Sequence, residues 1–149
     1  MVKPIPEGYT SVTPSLILKN CAKAIELYQK AFDAEELDRI DYSDGSGVMH
    51  ATIKIGNSII MMGDETPNMK AVGASFYLYV PDVDVAVKKA EAVGLNSIMP
   101  ISDMFWGDRL GCVVDEFGIQ WSIATHVKDV SEKELAEGAK EMEAMMKAA

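Results

Sequence analysis

Five consecutive residues, Phe105-Trp106-Gly107-Asp108-Arg109, combine two aromatic rings, a flexible glycine and an acid-base pair just ahead of a β-type run. Aromatic faces bind flat or cationic ligands, and loops on a rigid scaffold are where binding groups concentrate. The alternative is structural: Trp106 plugs the end of a sheet and Arg109 pairs with Asp108 or Asp115. The only histidines are His50 and His126. A metal or catalytic role for either requires a carboxylate or second ligand converging on it, and Asp64, Glu65 and Asp108 are the acids that could do so. A hydrogen-bonded strand histidine is the simpler reading. No residue is therefore assigned as catalytic, and the ligand-binding candidates are Phe105, Trp106, Asp108, Arg109 and His50. Met49, Met61, Met62, Met69, Met99 and Met104 supply either a soft pocket lining or ordinary core filling.

Composition narrows the partners. A formal net charge of −9 opposes the phosphate neutralisation that nucleic-acid binding demands, so no nucleic acid is expected. No apolar run approaches the ~20 residues that span a bilayer, and no membrane association is expected. Met1–Thr10 is polar and carries prolines, unlike a secretory signal, and a cytoplasmic protein is the expectation. Cys21 and Cys112 are far apart and form no C-x-x-C, so both read as reduced core residues.

These side chains need a scaffold, and its elements are written in the hydrophobic pattern. Val12–Leu18 reads as a strand, and Asn20 caps a helix whose apolar positions Cys21, Ala24, Ile25, Tyr28, Ala31 and Phe32 fall three or four apart. Strands over Glu36–Tyr42, Gly47–Ile55 and Ser58–Met62 follow, joined at Asp44-Gly45 and Gly56-Asn57, pairs suited to tight hairpins. The order then recurs. Ala74–Val80 reads as a strand, and Asp82 caps a helix with the stripe Val83, Ala86, Val87 and Ala90 that ends at Gly94. Strands over Asn96–Pro100, Leu110–Val114 and Gln120–Thr125 complete the second set. Leu18 with Val80, Asn20 with Asp82 and Ala24 with Ala86 share one offset of 62 residues, the mark of a duplication. Ser131 and Glu134 form a capping box ahead of a last helix with an apolar stripe at Leu135, Ala139, Met142 and Met146.

The fold class predicted is α+β, with two βαβββ modules at about 8–65 and 73–126 within a domain spanning 1–130, and a C-terminal helix over 131–149. A homodimer is expected, because open sheets leave strand edges and one small domain covers the final apolar stripe poorly.

This duplicated set resembles the vicinal oxygen chelate superfamily of glyoxalases, bleomycin-resistance proteins and extradiol dioxygenases, and within it the PhnB-like branch. The residues that carry the likeness are Gly8-Tyr9, Val12-Thr13-Pro14, Ala24-Ile25-Glu26-Leu27-Tyr28, Ile59-Ile60-Met61-Met62, Tyr79-Val80-Pro81-Asp82, Phe105–Arg109 and Trp121–His126. Asp33 stands where the branch usually has glycine. The resemblance implies curled mixed sheets with outer helices and, in metal-using members, a divalent ion held by His and Glu on the first and last strand of each module. Those positions are here Thr13, Met61, Ser75 and Ser122, a thioether and three hydroxyls that do not suit a hard cation. No metal and no cofactor are therefore expected. The function this implies is a metal-free small-molecule-binding protein. The alternatives are a lyase, isomerase or dioxygenase-type enzyme, using metal-independent acid-base chemistry or a non-standard metal site such as His50 with Glu65, and a mainly structural role.

Overall fold

A computed structural model describes all 149 residues. Contacts divide the chain into two units, Met1–Ala74 with Asp115–Ile119, and Ser75–Val114 with Gln120–Ala149.

The first unit contains β1 (Ser15–Leu18), α1 (Cys21–Phe32), β2 (Glu35–Asp41), β3 (Val48–Ile55) and β4 (Ser58–Asp64), in sheet order β1-β4-β3-β2. Proline has no N–H to give a ladder, and β1 starts only after Pro14, later than the hydrophobic run suggests. The Asn20 side chain accepts from the Lys23 amide to open α1, whose stripe Cys21, Ala24, Ile25, Tyr28 and Ala31 is buried. The helix ends at Asp33 in the left-handed conformation, φ 55°, and Ala34 N–H reaches back to the Tyr28 carbonyl. An aspartate is tolerated at this glycine-favouring position because its short polar side chain tolerates φ > 0 better than most.

β4 also secures the start of α1. Asp64 accepts from the Cys21 amide at 2.9 Å and from the Val48 amide at 2.7 Å, so one carboxylate ties helix to sheet. Both cysteines are free and buried, and burial first, then Asp64, pushes the Cys21 thiol up to about 12. The Asp115–Ile119 turn is anchored in this unit as well. Buried Asp115 takes the Tyr28 hydroxyl at 2.6 Å and the Phe117 and Ile119 amides at 2.9 and 3.0 Å.

The second unit repeats the order with β5 (Ala74–Tyr79), α2 (Val83–Ala92), β6 (Asn96–Asp103), β7 (Asp108–Val114) and β8 (Ile119–His126), arranged β5-β8-β7-β6, followed by α3 (Glu132–Ala148). Asp82 and Ser131 cap their helices through the Val85 and Glu134 amides. Thr125 accepts from the Val83 amide and donates to the Val80 carbonyl, fixing α2 against β8 as Asp64 fixes α1. Trp121, Ile123 and Val113 are buried on the α2 face, and Phe76 packs on Trp121 with ring centroids 5.2 Å apart.

Four strands exceed their hydrophobic patterns, and β4 runs two residues on from Met62 to Asp64. β6 runs through Pro100 to Asp103, which an edge strand permits where the register is irregular, here between Ser97 and Met99 and between Met99 and Ser102. β7 starts two residues early at Asp108 and β8 ends one late at His126, and these two residues are register partners. No helix is long and apolar enough to cross a membrane.

Tyr28→Phe removes the hydroxyl that satisfies a buried carboxylate and should cost about 1–3 kcal/mol in urea unfolding. An unchanged midpoint would show that the Asp115 turn does not depend on it.

Candidate functional site

Alternation along β7 and β8 sends Arg109, Gly111 and Val113 with Trp121, Ile123 and Thr125 towards α2, and Asp108, Leu110 and Cys112 with Ser122, Ala124 and His126 to the opposite face. On that opposite face Leu110, Cys112 and Ala124 form an apolar floor, against which Met99, Met104 and Trp106 pack.

At one end of the floor the face turns polar. Asp108 is 1% exposed, and a carboxylate so far from water must collect hydrogen bonds. Tyr77 donates to its Oδ2 at 2.6 Å and Tyr79 to the same oxygen at 2.9 Å, while His126 Nδ1 lies 2.8 Å from Oδ1. Trp106 Nε1–H in turn donates to the Tyr77 oxygen at 3.2 Å. The Tyr77 and Tyr79 rings sit 5.1 Å apart and remain 44% and 60% exposed, so their faces are open although their hydroxyl protons are engaged.

His126 Nε2 faces Asp129 Oδ1 at 2.7 Å. Carboxylate oxygens only accept, so both contacts are hydrogen bonds when His126 is an imidazolium, the form this arrangement favours. Its pKa is raised, first by Asp129 and then by Asp108. Burial pulls the Asp108 carboxyl upward, but the bonds from Tyr77, His126 and Tyr79 outweigh it and hold it below the ordinary carboxylate value. Burial, and next the bond to Asp108, pushes the Tyr77 phenol up to about 12, and Tyr79 rises chiefly through its bond to Asp108. The shifts together favour an ionised Asp108, a protonated His126 and neutral Tyr77 and Tyr79 hydroxyls.

The loop before β7 is held from behind. Gly107 has φ 97°, and a Cβ there would overlap the Lys128 carbonyl oxygen. Val127 and Lys128 both donate to the Gly107 carbonyl, at 2.9 and 3.0 Å. Phe105 stands edge-on to Trp106 and lies against Gly138 of α3, where a Cβ would come within 2.5 Å of it.

Of the residues singled out by sequence, Trp106, Asp108 and His126 meet in this cluster, Asp108 being the acid that converges on His126, and Phe105 supports it under α3. Arg109 points the other way. It binds Asp84 of α2 through Nε and Nη2 at 2.9 and 3.0 Å and Asp103 through Nη1 at 3.2 Å, so its partners are neither Asp108 nor Asp115. His50 belongs to the first unit, 3.2 Å from Thr52 Oγ1 and 3.7 Å from Asp38, while Glu65 accepts from the Ala71 amide. Tyr77, Tyr79 and Asp129 were not among the site candidates. The Tyr-x-Tyr spacing on a strand, which puts both rings on one face, was the signal for the first two.

The positions that the resemblance assigns to a metal do not fit a hard cation. Thr13 Oγ1 donates to the Thr10 carbonyl, Met61 offers a thioether, Ser75 is an exposed hydroxyl, and Ser122 Oγ lies 3.3 Å from Cys112 Sγ. No group of three or more His, Cys, Asp or Glu is placed to hold a metal ion.

A group whose folded pKa is raised stabilises fully below its unfolded value, near 6.5 for histidine, and loses that contribution as pH climbs through the folded one. The melting temperature should therefore fall as pH rises above about 6.5, with a shallower slope in Asp129→Asn. An unaltered slope in the variant would exclude His126 as the group responsible.

Residues 10–123 match the family model for the Glyoxalase/Bleomycin resistance protein/Dioxygenase superfamily. The chain is 34% identical over 136 residues to Uncharacterized protein Mb0911c of Mycobacterium bovis, covering 84% of this chain and 89% of that one. Among solved structures it is similar to TioX from Micromonospora sp. ML1, with TM-score 0.67, 22% identity and coverage of 79% and 99%. It is also similar to the PhnB protein from Bacillus cereus, with TM-score 0.63, 21% identity and coverage of 78% and 99%. Two βαβββ modules in one chain, matched by the family model across both, make this protein a member of the glyoxalase, bleomycin-resistance and dioxygenase superfamily.

Proposed function

We propose that the protein binds a small, flat organic molecule without a metal, on the face of the second sheet turned away from α2. The observation that carries this is the joint anchoring of Tyr77 and Tyr79 on buried Asp108. It fixes two rings at the edge of an apolar floor while leaving their faces open. Preorganised aromatic groups lose little freedom when a ligand arrives, which is where affinity is usually spent. Trp106 extends the platform, and Met99 and Met104 line it with side chains that adapt to shape. As an imidazolium, His126 has both ring nitrogens turned to carboxylates and no lone pair with which to take a proton, which argues against a general base at this place.

A thermal-shift screen of planar aromatic compounds, run with a chelator present, tests this reading. Hits should stabilise the wild type, and saturation at 100 times the dissociation constant contributes about 2.7 kcal/mol. Trp106→Ala should lose the shift while keeping its fold. A shift that requires added nickel, zinc, iron or manganese would sink the metal-free reading. Unfolding of the variant, with a loss of about 3–5 kcal/mol, would make Trp106 a core residue.

We also propose a homodimer in the cytoplasm. Two unpaired buried cysteines suit a reducing compartment, while exposed Met145 and Met146 on α3 and Leu37 and Ile40 on the edge strand β2 offer apolar surface to a second copy. Sedimentation velocity of the full chain should give a dimer. A chain ending at Lys128 that still dimerises would remove α3 from the interface, and a monomeric full chain would end the proposal.

A further inference from the structure

Hydrogen-bond donors and acceptors at the polar end of the platform are unequally used. The Tyr77 and Tyr79 hydroxyl protons both go to Asp108 Oδ2, the Trp106 N–H goes to the Tyr77 oxygen, and the two N–H groups of His126 go to Asp108 and Asp129. Every one of these side-chain donors is consumed inside the cluster. What is left to a visitor is accepting capacity: the second carboxylate oxygen of Asp129, the lone pairs of the exposed Tyr79 oxygen, and the faces of the two tyrosine rings.

Charge points the same way. Two carboxylates against one imidazolium leave the cluster with one net negative charge. The nearby cations are committed elsewhere: Lys128 pairs with Glu134 at 3.0 Å, and Arg109 is held by Asp84 and Asp103 on the opposite face. An anion approaching this end would have to displace Asp129 to find a free N–H, whereas an ammonium group meets a carboxylate oxygen and aromatic faces at once. A cation over such a face gains attraction from the ring quadrupole.

Resting on the binding reading above, we infer that this site takes an aromatic ligand carrying a protonated amine or other cationic N–H donor and discriminates against carboxylates of the same shape. Asp129 is the outward recognition group. His126 is a positioning residue that holds Asp129 in place and balances Asp108.

Benzylammonium, benzyl alcohol and benzoate share a ring and differ in charge, and titration of each into the isotope-labelled full chain near neutral pH separates the possibilities. Benzylammonium should bind roughly tenfold more tightly than benzyl alcohol, with benzoate weakest and the Tyr77, Tyr79 and Trp106 ring signals moving. Asp129→Asn should bring the ammonium compound to within about threefold of the alcohol, its amide spectrum showing an intact fold. Equal binding of ammonium and alcohol would overturn the charge assignment while the flat-ligand reading stands. Tightest binding by benzoate, strengthened in Asp129→Asn, would overturn it in favour of an anion site that Asp129 fills at rest. Failure of all three to move those ring signals would bring down the binding reading itself.

Discussion

Removing a carboxylate from water is costly enough that the surrounding chain must compensate it, and Asp108 sets the terms for everything near it. Its partners come from separate places: Tyr77 and Tyr79 from β5, and His126 from the end of β8. Because β8 lies between β5 and β7, one side chain on β7 organises the polar end of three strands. The same compensation decides the chemistry on offer, since protons spent on Asp108 are not available to a ligand. A site that looks rich in donors by residue type becomes an accepting surface once the bonds are traced.

Duplication gave both modules the same frame and let their details diverge. Each module's helix starts just after an Asn or Asp cap, and its first amide is taken by a side chain near the end of the module's last strand, Asp64 in one and Thr125 in the other. Shared requirements of helix termini explain why this device persists where other residues differ. The aromatic platform has no such obligation and is built in the second module.

Much of the frame was legible in the sequence because period and capping act locally. Asn20, Asp82 and Ser131 announce their helices, and alternating or apolar runs announce the strands to within a few residues. The site was legible only in part. Trp106 and Asp108 stood out by type, but β7 reaches back to Asp108 and β8 forward to His126 through residues that are neither apolar nor β-branched at the ends, so no hydrophobic pattern reveals that the two are register partners. Arg109 shows the converse. Adjacency to Asp108 suggested a pair, yet neighbours on a strand point to opposite faces, and its partners came from α2 and β6. Sequence proximity is a poor guide to contact wherever the period is two.

Gly107 and Gly138 lie behind the aromatic platform and form no part of its surface. Through them the loop carrying Trp106 leans on the segment after β8 at Lys128 and on α3 at Phe105. The tail that follows the duplicated domain thus serves as a backstop for the platform. A tail of other length or composition behind the same sheet and the same tyrosines would seat the tryptophan differently. The shape of the platform can in this way change through residues that form no part of its surface, and a fusion or tag joined after Ala149 acts on the far end of that same backstop.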